Sequence, residues 1–337
     1  MPPPAGFCSR TIGWVNMRFW KSRSFLWFCV LSLAIRSLYG QLSANFISSD
    51  VTDYPSSSVI RVNTSLVTVP VSVTDSKGRP VLDLRMDEFR IEEDGRFQEV
   101  QKMAEAGQSP LQIALLFDLS RSLSPRFEFE QKAAIRFLEK IMKPGDTVSI
   151  VTFTEDQQIL LRNSPSLKDA LHQLLMLKPT ESATAFYDSV VYTAKLLQQM
   201  AAPETRRAQI VLSDGEDNRS DRTIFDALRE VQRCDTIFYS INPGGASIRL
   251  NEISIKGQRD LHSLASQTGG TAFISDDRSD LDGIFSLIAT ELRAQYLLSY
   301  YSSNSSLDDQ FRRIAVSIPG RPDLRVRARQ GYFAARR

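Results

Sequence analysis

Three separated patches of this chain carry oxygen-bearing side chains in arrangements that could do chemistry. The first is Asp118-Leu119-Ser120-Arg121-Ser122, which follows directly on the apolar run from Leu111 to Phe117. Asp118, Ser120 and Ser122 lie two residues apart, so an extended backbone turns their oxygens to one side. The second is Ala183-Thr184-Ala185-Phe186-Tyr187-Asp188, with Thr184 at the head of a helical pattern. The third is Ser213-Asp214-Gly215-Glu216-Asp217-Asn218, which follows the apolar Ala208 to Leu212. By itself Asp-x-Ser-x-Ser is also a common turn and helix-start pattern. Asp118, Ser120, Ser122, Thr184 and Asp214 together make an all-oxygen set without His or Cys, which suits a hard cation: Mg²⁺ or Mn²⁺, with Ca²⁺ as a further candidate. Hydroxyl ligands neutralise a dication poorly, and an octahedral ion would keep positions open for water or for a carboxylate from an acidic ligand.

Neighbouring residues extend this reading. Arg121, between the two serines, is either a greeting for an acidic partner or a surface cation; Glu216 and Asp217 either support cation or partner binding or form a solvated turn. His172 and His262 lie on helical stretches far apart in the chain and read as surface or partly buried residues. Ser164, Ser166 and Ser182 read as helix caps. No Gly-x-Ser-x-Gly elbow and no phosphate-binding Gly-x-x-x-x-Gly-Lys loop is present. An aspartyl-nucleophile phosphatase would want a second Asp where Ser120 stands, so an enzyme is left only as metal-assisted hydrolysis without a visible base.

These patches need a scaffold, and the pattern supplies one. From Leu111, strand-like runs (111–118, 148–153, 157–161, 208–212, 236–241, 271–274) alternate with helical ones (127–142, 167–177, 185–200, 223–233, 261–267, 281–292). That alternation predicts an α/β fold with a doubly wound, mostly parallel sheet, whose ligands bind outside the carboxyl ends of the strands. On either side the rhythm is different. Val67, Val69, Val71 and Val73 alternate with polar residues, and Pro70 suggests an edge strand; Phe89 to Glu92 and Phe97 to Val100 flank an Asp94-Gly95 hairpin turn. After Arg293 the two-residue period returns in 296–301, 311–318 and 324–329. Neither β-rich end is self-sufficient, so both are expected to join in one β-sandwich into which the α/β domain is inserted.

Composition narrows the classes. The chain has 337 residues, 42% of them hydrophobic and 24% charged, ordinary for a folded protein. Its net charge of +2 hides an asymmetry: residues 1–40 hold Arg10, Arg18, Lys21, Arg23 and Arg36 and no acid, leaving 36 basic against 39 acidic residues in the remainder. No basic patch argues for nucleic acid. Basic residues, then the apolar Phe25 to Ile35, then small and polar residues near Gly40 form an export signal, too short to span a bilayer comfortably; Met17 is a candidate start. After cleavage only Cys234 remains, a core residue, so neither disulfides nor a cysteine zinc site is expected. The expected domains are a signal peptide at 1–40, a flexible lead-in at 41–58, a β unit at 59–107, the α/β domain at 108–292, and a C-terminal β segment at 293–337 pairing with the first β unit.

The three patches together resemble the metal-ion-dependent adhesion site of von Willebrand factor A domains, and the whole layout, with its Tyr-Leu-Leu-Ser-Tyr-Tyr tail, resembles exported bacterial proteins of the "VWFA-related" kind. The resemblance implies that Ser120 and Ser122 bind the metal directly, that Thr184 binds directly or through water, and that Asp118 and Asp214 do either. Family members often have a Gly pair before the threonine, where this chain has Ser182 and Ala183. The function expected is an exported, non-enzymatic, metal-dependent protein-binding module for adhesion or complex assembly. It would be periplasmic, cell-surface or secreted, with no membrane span in the mature chain, and its partner would supply an exposed Asp or Glu. A metal-assisted hydrolase and a structural module with a vestigial metal site are the alternatives.

Overall fold

The computed structural model describes residues 66–104, 107–120, 125–180, 182–202, 205–243, 251–274 and 281–334. The leader, the lead-in, Arg121 and Ser122 lie outside these residues. Among the described residues no helix is long and apolar enough to cross a membrane.

The chain enters through β1 (Leu66–Thr74), a 3-10 turn at Met86–Glu88, β2 (Arg90–Glu93), β3 (Arg96–Gln98) and β4 (Val100–Ala104). The α/β unit follows as β5 (Leu111–Asp118), α1 (Pro125–Ile141), β6 (Thr147–Phe153), β7 (Gln157–Ser164), α2 (Leu167–Met176), α3 (Phe186–Gln199), β8 (Arg206–Leu212), α4 (Ile224–Arg233), β9 (Thr236–Asn242), α5 (Glu252–Thr268), β10 (Ala272–Ile274) and α6 (Leu281–Ala294). The chain closes with β11 (Tyr296–Tyr301), β12 (Phe311–Ser317), β13 (Arg325–Ala328) and β14 (Gly331–Phe333).

The central sheet runs β10-β9-β8-β5-β6-β7. It is parallel except for β7, which pairs antiparallel with β6. Every residue of β5 is buried, as its unbroken apolar run requires of a strand covered on both faces. Alternation along β5 divides it between two cores: Ile113, Leu115 and Phe117 pack with α1, α2 and α6, while Leu116 packs with α3, α4 and α5. The order reverses at β5, where β6 flanks one side and β8 the other, and this opens a crevice at the carboxyl end of β5.

The remaining strands form two four-stranded sheets, β13-β1-β11-β4 and β14-β12-β2-β3. Each mixes strands from before and after the α/β unit, and one core joins them: Val67, Val69, Val71, Val73, Tyr296, Leu298 and Tyr300 pack with Ile91 and Ile314. The sandwich expected from the two chain ends is therefore present.

Three expectations differ in detail. β1 is interior, between β13 and β11, although Pro70 pointed to an edge. Its pairing with β13 begins only at Val71, so the stretch up to Pro70 is unpaired on that flank and a residue lacking an N–H is tolerated there. The expected returning strand at Phe97–Val100 is split around Glu99: β3 stays with β2, while β4 crosses to β11 in the other sheet. The helix expected at 261–267 begins a full nine residues earlier, at Glu252, with the Asn251 side chain accepting from the Ser254 N–H at 2.8 Å.

Candidate metal-site edge

β5 delivers Asp118 to the crevice with its carboxylate almost fully engaged. Oδ1 accepts the Ser120 backbone N–H at 3.0 Å and also the Ser120 hydroxyl; Oδ2 accepts the Ser213 hydroxyl at 2.7 Å. Asp118 is 6% exposed and Ser213 1%, so these are bonds in a low-dielectric setting. Ser213 Oγ in turn accepts the Gly215 N–H at 3.0 Å, which ties the loop after β8 to the end of β5. Gly215 needs its left-handed backbone (φ +77°) and its lack of a side chain: a Cβ there would meet the Gly257 carbonyl oxygen of α5 at 2.7 Å.

Thr184 reaches the same edge along a different path. Its N–H donates to Asn218 Oδ1 at 2.8 Å, and its carbonyl accepts the Asn218 and Arg219 N–H groups, both at 3.1 Å. Ala185 N–H donates to the Thr154 carbonyl at 2.8 Å, just beyond β6, and Thr180 N–H to the Leu119 carbonyl at 2.7 Å. The loops after β5, β6 and β8 and the segment before α3 are thus stitched to one another at the carboxyl end of the sheet. Among the described residues Thr184 is held through its main chain, which leaves its hydroxyl for other use.

The residues beside the site divide by task. Asp217 anchors α3: its Oδ1 accepts the Phe186 N–H at 2.7 Å, the Tyr187 N–H at 3.4 Å and the Ser220 hydroxyl at 2.6 Å. A carboxylate at a helix N-terminus satisfies orphan donors and meets the positive end of the dipole. Glu216 accepts the Ser254 hydroxyl from α5, and its N–H donates to Asp214 Oδ1 at 3.1 Å. Ser166 caps α2 as expected, accepting the Asp169 N–H at 3.2 Å. Ser182 does not cap α3; its hydroxyl donates to Glu155 at 3.4 Å, because Asp217 already fills the capping role. His172 and His262 are both exposed.

Sequence reasoning missed Ser213 as the second anchor of Asp118, and it missed Asn218 and Gly257 as supports of the site. Ser213 was visible as a hydroxyl at the end of a buried strand, but its partner is distant in sequence. The donor chemistry fits a hard cation. Ser120 gives its proton to Asp118, so its oxygen lone pairs stay available, and every candidate is an oxygen ligand. Among the described residues no three His, Cys, Asp or Glu side chains come together, so a cation here would depend on hydroxyls.

Residues 113–216 match the family profile of the von Willebrand factor type A domain, a span that includes all five candidate ligands. That stretch of the chain is thus similar to a von Willebrand factor type A domain. No curated protein matches the chain. Solved structures similar to it include an aerotolerance-related membrane protein from Bacteroides fragilis, at 16% identity over 54% of this chain and 98% of that one, with a TM-score of 0.43. BatB from Bacteroides thetaiotaomicron is similar at 16% identity over 54% and 98%, with a TM-score of 0.41. Proximal thread matrix protein 1 from the mussel byssus, in a form with zinc in its MIDAS motif, is similar at 16% identity over 60% of this chain and 50% of that one, with a TM-score of 0.46.

Proposed function

We propose that this chain is an exported protein-binding module whose A domain holds one divalent cation, Mg²⁺ or Mn²⁺, and uses it to take a carboxylate from a partner protein. The reading rests on one observation: Asp118 is held by the Ser120 and Ser213 hydroxyls at the crevice of a doubly wound sheet, and the Thr184 and Asp214 loops are tied to the same edge. Asp118, Ser120, Ser122, Thr184 and Asp214 would hold the ion. The ion would supply a Lewis-acidic position open to an Asp or Glu side chain. The chain's own residues would do the rest: Ser213 and Ser120 keep Asp118 oriented, Asn218 fixes the Thr184 main chain, and Asp217 holds the head of α3. The carboxylates of Asp118 and Asp217 are committed to hydroxyl and main-chain donors, which favours binding over hydrolysis. The basic, apolar and small-residue leader supports export, to the periplasm, the cell surface or the medium.

Thr184→Ala is the cleanest test, because the hydroxyl has no structural partner among the described residues. Mg²⁺ or Mn²⁺ should stabilise the wild-type protein by about 2.7 kcal/mol when the ion is a hundredfold above its dissociation constant, and so raise its melting point. Thr184→Ala should keep the melting point seen in chelator and lose most of that gain. Melting curves indifferent to both metal and chelator would refute the reading. A partner captured in Mg²⁺ should be released by chelator.

A further inference from the structure

At the opposite pole, below the amino ends of β8 and β9, a cavity of about 660 Å³ lies between the α/β unit and the outer face of the β13-β1-β11-β4 sheet. Alternation explains the sheet's contribution: Val67, Val69 and Leu298 face the sandwich core, which turns Thr68, Pro70 and Leu297 into the cavity. The facing wall is cationic. Arg206 and Arg207 line it with Gln232; Lys102 and Arg329 add their charge from the sheet side, and the one described carboxylate there is Asp235. Asp235 is shared, bonding Arg207 at 3.3 Å and Arg329 as well. Among the described residues no carboxylate makes a close ion pair with Arg206, although Asp146 offsets part of its charge; its two terminal nitrogens donate to the Leu292 and Ser109 carbonyls at 2.5 and 2.9 Å.

Four buried polar atoms of these lining residues lack a partner, and all four are donors: Nε of Arg206, Arg207 and Arg329, and Nε2 of Gln232. Arg206, Gln232 and Arg329 are 3%, 5% and 8% exposed. The four atoms are themselves shielded from solvent, so what the guanidinium groups offer the cavity is chiefly their charge. Water could satisfy an N–H but could not neutralise a buried cation. Burial, with the nearby Arg293 adding to it, pushes the Arg206 guanidinium down to about 10, the mark of a positive charge held at a cost.

We propose that this cavity is a second ligand site, independent of the metal edge, for a small amphipathic organic anion. An acidic head would be drawn by the surplus arginine charge, and an apolar body would lie against Pro70, Leu297 and Ile237. The volume is in the range of small-molecule sites.

The test uses the whole chain, with 8-anilinonaphthalene-1-sulfonate as the fluorescent probe and decanoate or decanol as competitors. Saturable one-to-one binding is expected, displaced by decanoate at least tenfold better than by uncharged decanol and unchanged by chelator or by Thr184→Ala. Arg207→Gln should weaken binding about tenfold and Arg207→Lys much less. Ala202→Trp places a bulky side chain at the exposed end of the cavity lining and should abolish binding with the circular dichroism spectrum intact. Absence of saturable binding, equal displacement by decanol, or undiminished binding in Ala202→Trp would each overturn the proposal. Loss of the metal response alone would touch only the metal-site reading.

Discussion

Arg312 shows how strongly single residues are committed in the sandwich. Its side chain is 2% exposed, and it donates to the Asn304 and Ser306 carbonyls at 3.2 and 2.8 Å, to Asp308 at 3.2 Å, and faces Glu93 at 3.8 Å. Glu93 also accepts from the Tyr300, Ser302 and Tyr332 hydroxyls at 2.7, 2.6 and 3.0 Å. Arg312→Leu should cost about 3–5 kcal/mol in urea unfolding, since it leaves Glu93 buried beside no cation. Adding Glu93→Gln should recover part of the loss, and a double variant no more stable than the single one would show that the charge is not the cause. Cys234 gives a pH prediction. Burial, with Glu230 adding to it, pushes its thiol from the ordinary 9.0 up to about 12. The native thiol therefore keeps its proton where the unfolded one loses it: the stabilising effect is complete below about 9 and is lost as pH rises through about 12. Cys234→Ala should flatten this alkaline decline, and in native wild-type protein a thiol reagent should react only as fast as the chain opens.

Two elements converge on the metal-site edge, and each can be tested apart from the candidate ligands. α3 has no cap in its own N-terminal residue, Ala185, and relies on Asp217 from the loop after β8. Asp217→Ala should destabilise by about 1–2 kcal/mol, with Asp217→Asn milder because it keeps an acceptor; equal losses would mean that the charge matters more than the bond. α5 presses Gly257 against Gly215, and a Cβ on Gly257 would meet the Gly215 main chain at 2.8 Å. Gly257→Ala should cost about 1–3 kcal/mol and also blunt the metal-induced rise in melting temperature, because the Asp214 loop has to move. A stability loss with a full metal response would place the strain elsewhere.

At the scale of the molecule, the sandwich is a joint product of both chain ends. β1 pairs with β11 and β13, and β2 with β12, so removing residues 296–337 strips β1 of both neighbours and opens its valine face. The first β unit alone is expected to stay unfolded by circular dichroism, whereas residues 108–292, with cores on both faces of their sheet, are expected to melt cooperatively. A cooperative transition from the isolated 59–107 piece would contradict the shared sandwich. Arg329 bonds Asp235 and Arg327 bonds the Gly269 carbonyl and the Thr271 hydroxyl across the junction with the α/β unit, so the isolated domain should melt below the intact chain.

Local pattern was enough for the α/β domain because its strands are covered on both faces and its helices are amphipathic, so 111–118, 208–212 and 236–241 announce themselves as apolar runs and the acids at their ends stand out. The same logic made Asp118, Ser120, Thr184 and Asp214 readable as candidates, since type and position at the end of a strand or the head of a helix are local properties. What local pattern lacked was any measure of which distant chain lies alongside. Pro70 looked like an edge residue because the unpaired flank of β1 depends on where β13 begins. The 97–104 stretch looked like one strand because the break at Glu99 is set by two different sheets competing for it. Ser213 as an anchor of Asp118, Asp217 as the cap of α3, and the cationic cavity between the two units all join residues far apart in sequence. Tertiary structure alone decided them, because hydrogen bonding and charge compensation depend on distance in space, which spacing along a chain does not encode.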